Sequence, residues 1–385
     1  MALFLKEQAE KWKLEETGTE HIPGFCEYGK RAVFYPGVGD RLNFAWIGLP
    51  EGASAENPVP GVVLVHGGGG TAFASWVDIW NKRGYAAIAM DTCGAMPDTR
   101  NQYNNWPRHS FSGPQGWGAV AQGGEQFRLP PEEQWFTHAC AAVIKGFNVL
   151  AAMPEVDADN IGMTGISWGG VLTTIVSGLD ERVKAFIHVY GCAYRYKTDS
   201  MKTQMDDMRL TDEQRQWWEE QWDPKNFLPY STAPQMWFNG TNDFFFFPSH
   251  WRDSIMLSPA RHHDLCMKLR WPHGHGLAGE GADEYPAFFD EHLRNGKPRI
   301  RFVSSQRRGN IISGELNSAD FSAANVLFTV DAESPWEQKQ WHSVAAQADG
   351  KRIEAALPQG TSAAFLSVTS MDYLYSTSLP EIIQF

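Results

Sequence analysis

The spacing of apolar residues changes twice along the chain, and each change marks a boundary in the architecture it predicts. Residues 31–48 (RAVFYPGVGDRLNFAWIG) alternate apolar and polar positions around a PGVGD turn, the pattern of an antiparallel hairpin. From Val62 the alternation gives way to a continuous apolar run, Val62 to Val65, followed by further apolar-rich strand segments in YAAIAMD, IGMTGI, VKAFIHVYG, APQMWFNG and HDLCMKLRWP. A strand with no polar side is covered on both faces, as in a parallel sheet flanked by helices. The intervening segments TAFASWVDIWNKRG, EEQWFTHACAAVIKGFNVLAAM, VLTTIVSGL and DEYPAFFDEHLRNG carry helical spacing, the first closed by Gly84. Strands and helices in alternation predict an α/β domain over residues 1–297. After Lys297-Pro298 short strands return (RIRFVSSQ, ANVLFTVDA, WHSVAAQADGKRIEAALP, TSAAFLSVTSM), with a hairpin signal at Asp349-Gly350. Residues 298–385 are therefore expected to form a small all-β sandwich.

Two segments break the rhythm of the α/β part. Residues 93–131 are rich in Gly, Pro, Asn and Trp without periodicity, and so long an irregular excursion in a compact domain is often functional. Residues 195–230 read as a cap insertion, a polar helix carrying Trp217, Trp218 and Trp222, which are candidates for a pocket wall that stacks sugar rings. The plainer alternative is that these tryptophans only pack the cap onto the core. The amino-terminal MALFLKEQAEKWKLEETG is read as a surface helix. It lacks the uninterrupted apolar region and small-residue cleavage site of a secretory signal, so a cytoplasmic location is expected.

Composition narrows the function classes. A formal charge of -12 argues against a nucleic-acid partner, which needs a concentrated basic surface. No stretch approaches the roughly 20 apolar residues of a membrane helix, so no membrane partner is expected. Cys26, Cys93, Cys140, Cys192 and Cys266 are odd in number and widely spaced, which suggests buried thiols rather than a disulfide framework or a zinc ribbon.

The chemistry centres on Gly165-Ile166-Ser167-Trp168-Gly169-Gly170, a G-x-S-x-G sequence preceded by a strand pattern and followed by a helix pattern. That context predicts a sharp turn with Ser167 exposed at the strand end as a nucleophile. A serine hydroxyl needs a base, and the base an orienting carboxylate; after a strand-turn-helix serine of this kind the order is serine, acid, histidine. Asp243 is the best acid, in a loop after the apolar strand MWFNGTND; Asp253 and Asp264 are rivals, while Asp157, Asp159 and Asp180 read as loop or capping residues. Seven histidines follow Asp243, and the loop His273-Gly274-His275-Gly276 after the last parallel strand is placed to reach the serine. His275 is the first choice for the base and His273 its rival. No carboxylate or cysteine cluster stands nearby in sequence to make the His-x-His pair a metal site, so no metal and no organic cofactor is expected. The oxyanion of a tetrahedral intermediate needs fixed N–H donors, expected from Trp168 and from Gly68 or Gly69 in His66-Gly67-Gly68-Gly69-Gly70. That glycine loop has neither the G-x-G-x-x-G spacing nor the G-K-[ST] ending of a nucleotide-phosphate loop.

Together VVLVHGGGGTAFASW, RGYAAIAMD, GMTGISWGG, NGTNDFFFF and HGHG resemble the acetyl xylan esterase and dienelactone hydrolase-like branch of the α/β-hydrolases, over roughly residues 30–295. The resemblance implies an eight-stranded, mostly parallel sheet, a triad at Ser167, Asp243 and His275 or His273, and carboxylic-ester substrates, small or carbohydrate-borne. Dienelactone hydrolases proper carry a cysteine nucleophile where this chain has Ser167. The carboxy-terminal β region is similar to a small sandwich appended to some esterases of this group. Two other readings are kept: a serine peptidase of the same fold, and a non-catalytic binding protein. Association of copies of the chain is left open.

Overall fold

A computed structural model describes residues 3–97, 106–114, 129–197 and 210–383. The α/β part is built on a nine-stranded sheet: β1 (Glu20–Glu27), β2 (Lys30–Pro36), β3 (Leu42–Gly48), β4 (Val59–Val65), β5 (Ala86–Met90), β6 (Val156–Ile166), β7 (Ala185–Val189), β8 (Gln235–Gly240) and β9 (His263–Lys268). Their spatial order is β1-β2-β3-β5-β4-β6-β7-β8-β9. The first three pair antiparallel, and β3 also lies antiparallel to β5. All remaining pairs are parallel, as the continuous apolar runs require. Among the described residues the sheet has nine strands rather than the expected eight, because β1, which starts before the hairpin pattern, pairs with β2 at the edge. Its residues are mostly exposed or half-buried, so it lacks the apolar run that marks the inner strands.

Helices α1 (Leu3–Leu14), α2 (Ala74–Lys82), α3 (Trp135–Ala151) and α4 (Trp168–Ser177) come first, followed by α5 (Asp212–Trp222), α6 (Pro248–Leu257), α7 (Leu277–Glu280) and α8 (Glu284–Leu293). Helix α3 is buried along almost its whole length, which its high apolar content allows only because the sheet and other helices enclose it. Helix α1 is more than a surface helix: Leu5, Ala9 and Trp12 are buried, and the Asn148 amide on α3 donates to the Trp12 carbonyl at 2.7 Å. No helix among the described residues is long and apolar enough to cross a membrane.

The C-terminal region forms two antiparallel sheets. One contains β10 (Phe302–Arg308), β11 (Ile311–Leu316), β15 (Arg352–Ala356) and β14 (Gln347–Asp349); the other contains β12 (Phe321–Thr329), β13 (His342–Ala345), β16 (Ala363–Ser370), β17 (Tyr375–Thr377) and β18 (Glu381–Ile382). Ile312 and Ile353 from the first sheet share a core with Val326, Leu366 and Val368 from the second, which makes the pair a sandwich. Strand β16 is buried on both sides, since Phe365 and Ala363 belong instead to the core of the α/β part. The seam is charged as well as apolar. Asp264, 1% exposed at the start of β9, lies 2.9 Å from Nε of Arg299 and 2.7 Å from Nε of Arg301. Glu284 at the start of α8 accepts the Tyr375 backbone N–H at 3.0 Å and pairs with Lys268 at 2.8 Å.

Candidate active site

Strand β6 ends at Ile166, and Ser167 makes the turn into α4 with φ 58 and ψ -115, a backbone conformation that costs a non-glycine residue on the order of 1–3 kcal/mol. Close packing holds it there. The Ser167 N–H donates to the Val189 carbonyl at 2.9 Å, and its own carbonyl accepts the first helical N–H, from Val171, at 2.9 Å. A Cβ on Gly165 would sit 2.2 Å from the Gly169 carbonyl oxygen, and one on Gly169 would sit 2.0 Å from that of Val65. The motif's glycines therefore let β6, α4 and the end of β4 approach to backbone contact.

Ser167 faces His273. The serine Oγ lies 2.9 Å from Nε2, and Nδ1 of the same ring lies 2.6 Å from Oδ2 of Asp243. Asp243 is buried, and its other oxygen accepts the N–H groups of Phe245 and Phe246, each at 2.8 Å. A carboxylate so held accepts from Nδ1–H, which leaves Nε2 as the acceptor for the serine hydroxyl. The ring is braced by Tyr190, stacked at 4.7 Å between centroids, whose hydroxyl donates to the Pro272 carbonyl at 2.8 Å. Phe246 stacks at 6.1 Å, and the partly exposed ring of Phe244 lies 5.1 Å away.

The first choice of His275 for this place is corrected by the geometry. Its Nε2 accepts the Gly67 N–H at 2.9 Å, and its Nδ1 lies 2.8 Å from Oε1 of Glu280, a buried carboxylate at the end of α7. Both ring nitrogens are thus engaged by partners other than the serine. Gly274, at φ 154, separates two side chains that serve different partners. The two rival acids are also placed elsewhere: Asp264 in the seam, and Asp253 on α6 beside Arg252.

The loop after β4 lies against Ser167. A Cβ on Gly67 would come within 2.9 Å of the Ile166 carbonyl oxygen and 3.2 Å of the Ser167 Cβ. Its carbonyl accepts Nδ1–H of His66 at 2.8 Å and the Gly70 N–H at 3.1 Å. His66 is buried, and its Nε2 accepts the Thr92 N–H at 3.0 Å, which fixes Nδ1 as the donor. Burial holds the His66 pKa below its usual value against the opposing pull of Asp91, so the ring is neutral. Asp91 itself accepts the Thr71 hydroxyl at 2.7 Å and the N–H groups of Cys93 and Ala95 at 2.8 and 2.7 Å. Gly69 has φ 75, and its carbonyl accepts Nε1–H of Trp106 at 3.1 Å. Trp168 supplies the first amide of α4, at the positive end of the helix dipole.

The tryptophans of the cap fall out differently from the pocket wall expected of them. Trp218 and Trp222 are 0% and 1% exposed. Trp222 stacks on Phe136 at 5.3 Å and donates to Gln134 at 3.0 Å, while Trp218 meets Phe136 edge to face at 6.0 Å. Neither presents a free face, so the packing alternative describes them; only Trp217 is half-buried. Parts of the 93–131 excursion and of the 195–230 cap lie outside the described residues. The sequence reading missed Tyr190, His66 and Glu280. Tyr190 carries a faint signal, an aromatic at the carboxyl end of a buried strand, but the contacts of Glu280 depend on the path of a loop.

Residues 24–211, just under half of the chain, match the family model of acetyl xylan esterase (AXE1). Among solved structures, the acetyl xylan esterase from Paenibacillus sp. R4 gives a TM-score of 0.61 at 19% identity, covering 76% of this chain and 94% of that one. Acetyl xylan esterase 1 from Thermoanaerobacterium sp. JW/SL YS485 gives 0.54 at 15% identity, over 76% and 93%. A curated relative, dipeptidyl-peptidase 5 of Schizosaccharomyces pombe, is 22% identical over 241 residues, covering 58% of this chain and 31% of its own. The chain thus spans about a third of that relative's length. By fold the chain is an α/β-hydrolase, and within that fold what it is similar to is the acetyl xylan esterases.

Proposed function

We propose that the protein is a serine carboxylesterase acting on small acyl esters, with Ser167 as nucleophile, His273 as base and Asp243 as the orienting acid. The unbroken chain from Ser167 Oγ through His273 to Asp243, at 2.9 and 2.6 Å, carries this reading. His273 takes the serine proton as Oγ bonds to the ester carbonyl carbon; the amides of Trp168 and Gly68 hold the resulting oxyanion. On collapse the C–O bond to the alcohol breaks and His273 gives its proton to the leaving oxygen. A water, deprotonated by the same ring, then releases the acid and restores the serine.

Acetyl groups on a carbohydrate are the proposed substrates, a reading supported by the matching family model over residues 24–211. The exposed ring of Phe244, 5.1 Å from that of His273, offers an apolar face beside the base. The test is hydrolysis of p-nitrophenyl acetate, p-nitrophenyl butyrate and acetylated xylo-oligosaccharides by the wild type, Ser167→Ala and His273→Ala. Acetate turnover that disappears in both variants is the expected result; turnover that survives in Ser167→Ala would overturn the site. Equal rates on sugar and aryl acetates would remove the carbohydrate part alone. The likeness to dipeptidyl-peptidase 5 favours a second reading, a peptidase, and cleavage of dipeptidyl p-nitroanilides faster than of the esters would select it.

A further inference from the structure

We infer that His275 and Glu280 form a second histidine-carboxylate pair, which positions the oxyanion loop and takes no part in proton transfer. The inference rests on the serine-hydrolase reading above. Its starting point is the conformation of Gly67. Both peptide planes meeting at this residue are pinned: the one before it by the bond from its N–H to His275, the one after it by the bonds from His66 and Gly70 to its carbonyl. In a trans peptide the N–H of Gly68 points opposite to the Gly67 carbonyl, so those bonds also aim the amide assigned to the oxyanion.

The His275 ring has little freedom of its own. Nδ1–H donates to the buried Glu280, and the ring meets Phe73 edge to face at 4.8 Å and Trp76 at 5.6 Å. This selects the tautomer with a lone pair on Nε2, the form that can accept from Gly67. A Cβ on Gly70 would lie 3.3 Å from Nε2, so the loop wraps the ring closely on this side as well. Glu280 does for His275 what Asp243 does for His273, but the proton acceptor so created is spent on a backbone amide. A bond of this kind matters to rate if the donor it helps to aim stabilises the transition state, where each oxyanion donor is worth about 10²–10³ in turnover.

His275→Gln places an amide oxygen close to the position of Nε2 and can still accept from Gly67, whereas His275→Leu cannot. With p-nitrophenyl acetate, the leucine variant is expected to lose about 100-fold in kcat with KM changed by less than about threefold, and the glutamine variant to recover to within about tenfold of the wild type. The rate at which a fluorophosphonate labels Ser167 is measured alongside, because it needs the same oxyanion donors without depending on the acyl substrate. It is expected to fall and recover in step. Should the leucine variant not fold, His275→Asn, whose amide reaches Glu280 but falls short of Gly67, takes its place. A leucine or asparagine variant with wild-type kcat overturns the inference, as does a glutamine variant as slow as either. A glutamine variant as inert as Ser167→Ala would make His275 the base and overturn it too. Failure of the underlying reading looks different: the wild type itself is then neither labelled nor active.

Discussion

His273 and His275 stand two residues apart, each between a buried carboxylate and a second group, and the two arrangements differ in what supports them. The His273 arm depends on elements distant in sequence: Asp243 from the loop after β8, Tyr190 from the end of β7, and, behind Asp243, the C-terminal sandwich. Asn242, next to the acid, donates its side-chain amide to the carbonyls of Trp336, Glu337 and Lys339 at 3.3, 3.1 and 2.9 Å. Arg270, on the histidine loop, donates to Gln340 at 2.8 Å. The His275 arm is local, since Glu280 lies five residues away, and its target, Gly67, belongs to the α/β part. The lesson is that histidine plus carboxylate does not define a catalytic base; the atom at the far end of the ring does.

Removing either end of the first arm is the largest expected effect. Ser167→Ala and His273→Ala are each expected to lower kcat by about 10⁶-fold, and together by no more than either alone, because the residues act as one unit. Asp243→Asn comes next, at about 10⁴-fold, because it turns the ring toward the wrong tautomer. Steady-state rates on p-nitrophenyl acetate check both; a double variant much slower than the singles would break the unit.

A smaller effect is expected where the second arm meets the loop. Gly67→Ala adds a Cβ within 2.9 Å of the Ile166 carbonyl oxygen, a backbone atom that cannot swing away, so the loop must move. A loss of about 10²–10³ in kcat with an unshifted KM is expected. A variant at wild-type rate would show that the loop's position is not critical, and the contrast between the two arms would lose its functional meaning.

The sequence made much of this legible, and unevenly. Parallel strands could be read from their continuous apolar runs, and Ser167 from glycines whose spacing serves one backbone geometry. Asp243 followed from its place at the carboxyl edge of the sheet. His273 and His275 could not be ranked, because both share that loop and what separates them is the turn at Gly274 together with partners on other elements. Trp218 and Trp222 read as candidates for a pocket wall because the cap helix is polar on average, yet Phe136 of α3 packs against both. The nature of the seam was also hidden: Asp264 opens an ordinary buried strand, and only its approach to Arg299 and Arg301 makes it an interface residue.

The sandwich's hold on the first arm predicts an effect smaller again. Asn242→Ala removes one amide that serves three carbonyls and leaves the seam charges and the shared apolar core in place. A loss of about 1 kcal/mol in stability is expected, with kcat on p-nitrophenyl acetate down about three- to tenfold, since a shift well under 1 Å at the acid loop reaches His273 weakened. Unchanged kcat with lowered stability would restrict the sandwich to a structural role.

The smallest effect concerns pH and the frame behind Gly67. His66 is held neutral by burial, so the unfolded chain takes up a proton at this residue before the folded one does. The stability that the neutral ring contributes is therefore complete above the ordinary histidine value of about 6.5 and is lost as pH falls below it. His188, lowered to about 3, and His138 and His263, each lowered to about 4, push the same way. The wild type's acid sensitivity thus belongs to several rings, and a difference is needed to isolate one. His66→Asn keeps a donor for the Gly67 carbonyl, cannot titrate and loses the acceptor for Thr92. At pH 7.5 it is expected to melt about 1–2 °C below the wild type, the equivalent of about one hydrogen bond in a chain of this size. By pH 5 the gap is expected to narrow, because only the wild type is still losing stability at this position. A gap that stays constant between the two values would mean that His66 accepts its proton in the folded state as readily as in the unfolded one, and the second arm would then rest on a frame that titrates with solvent.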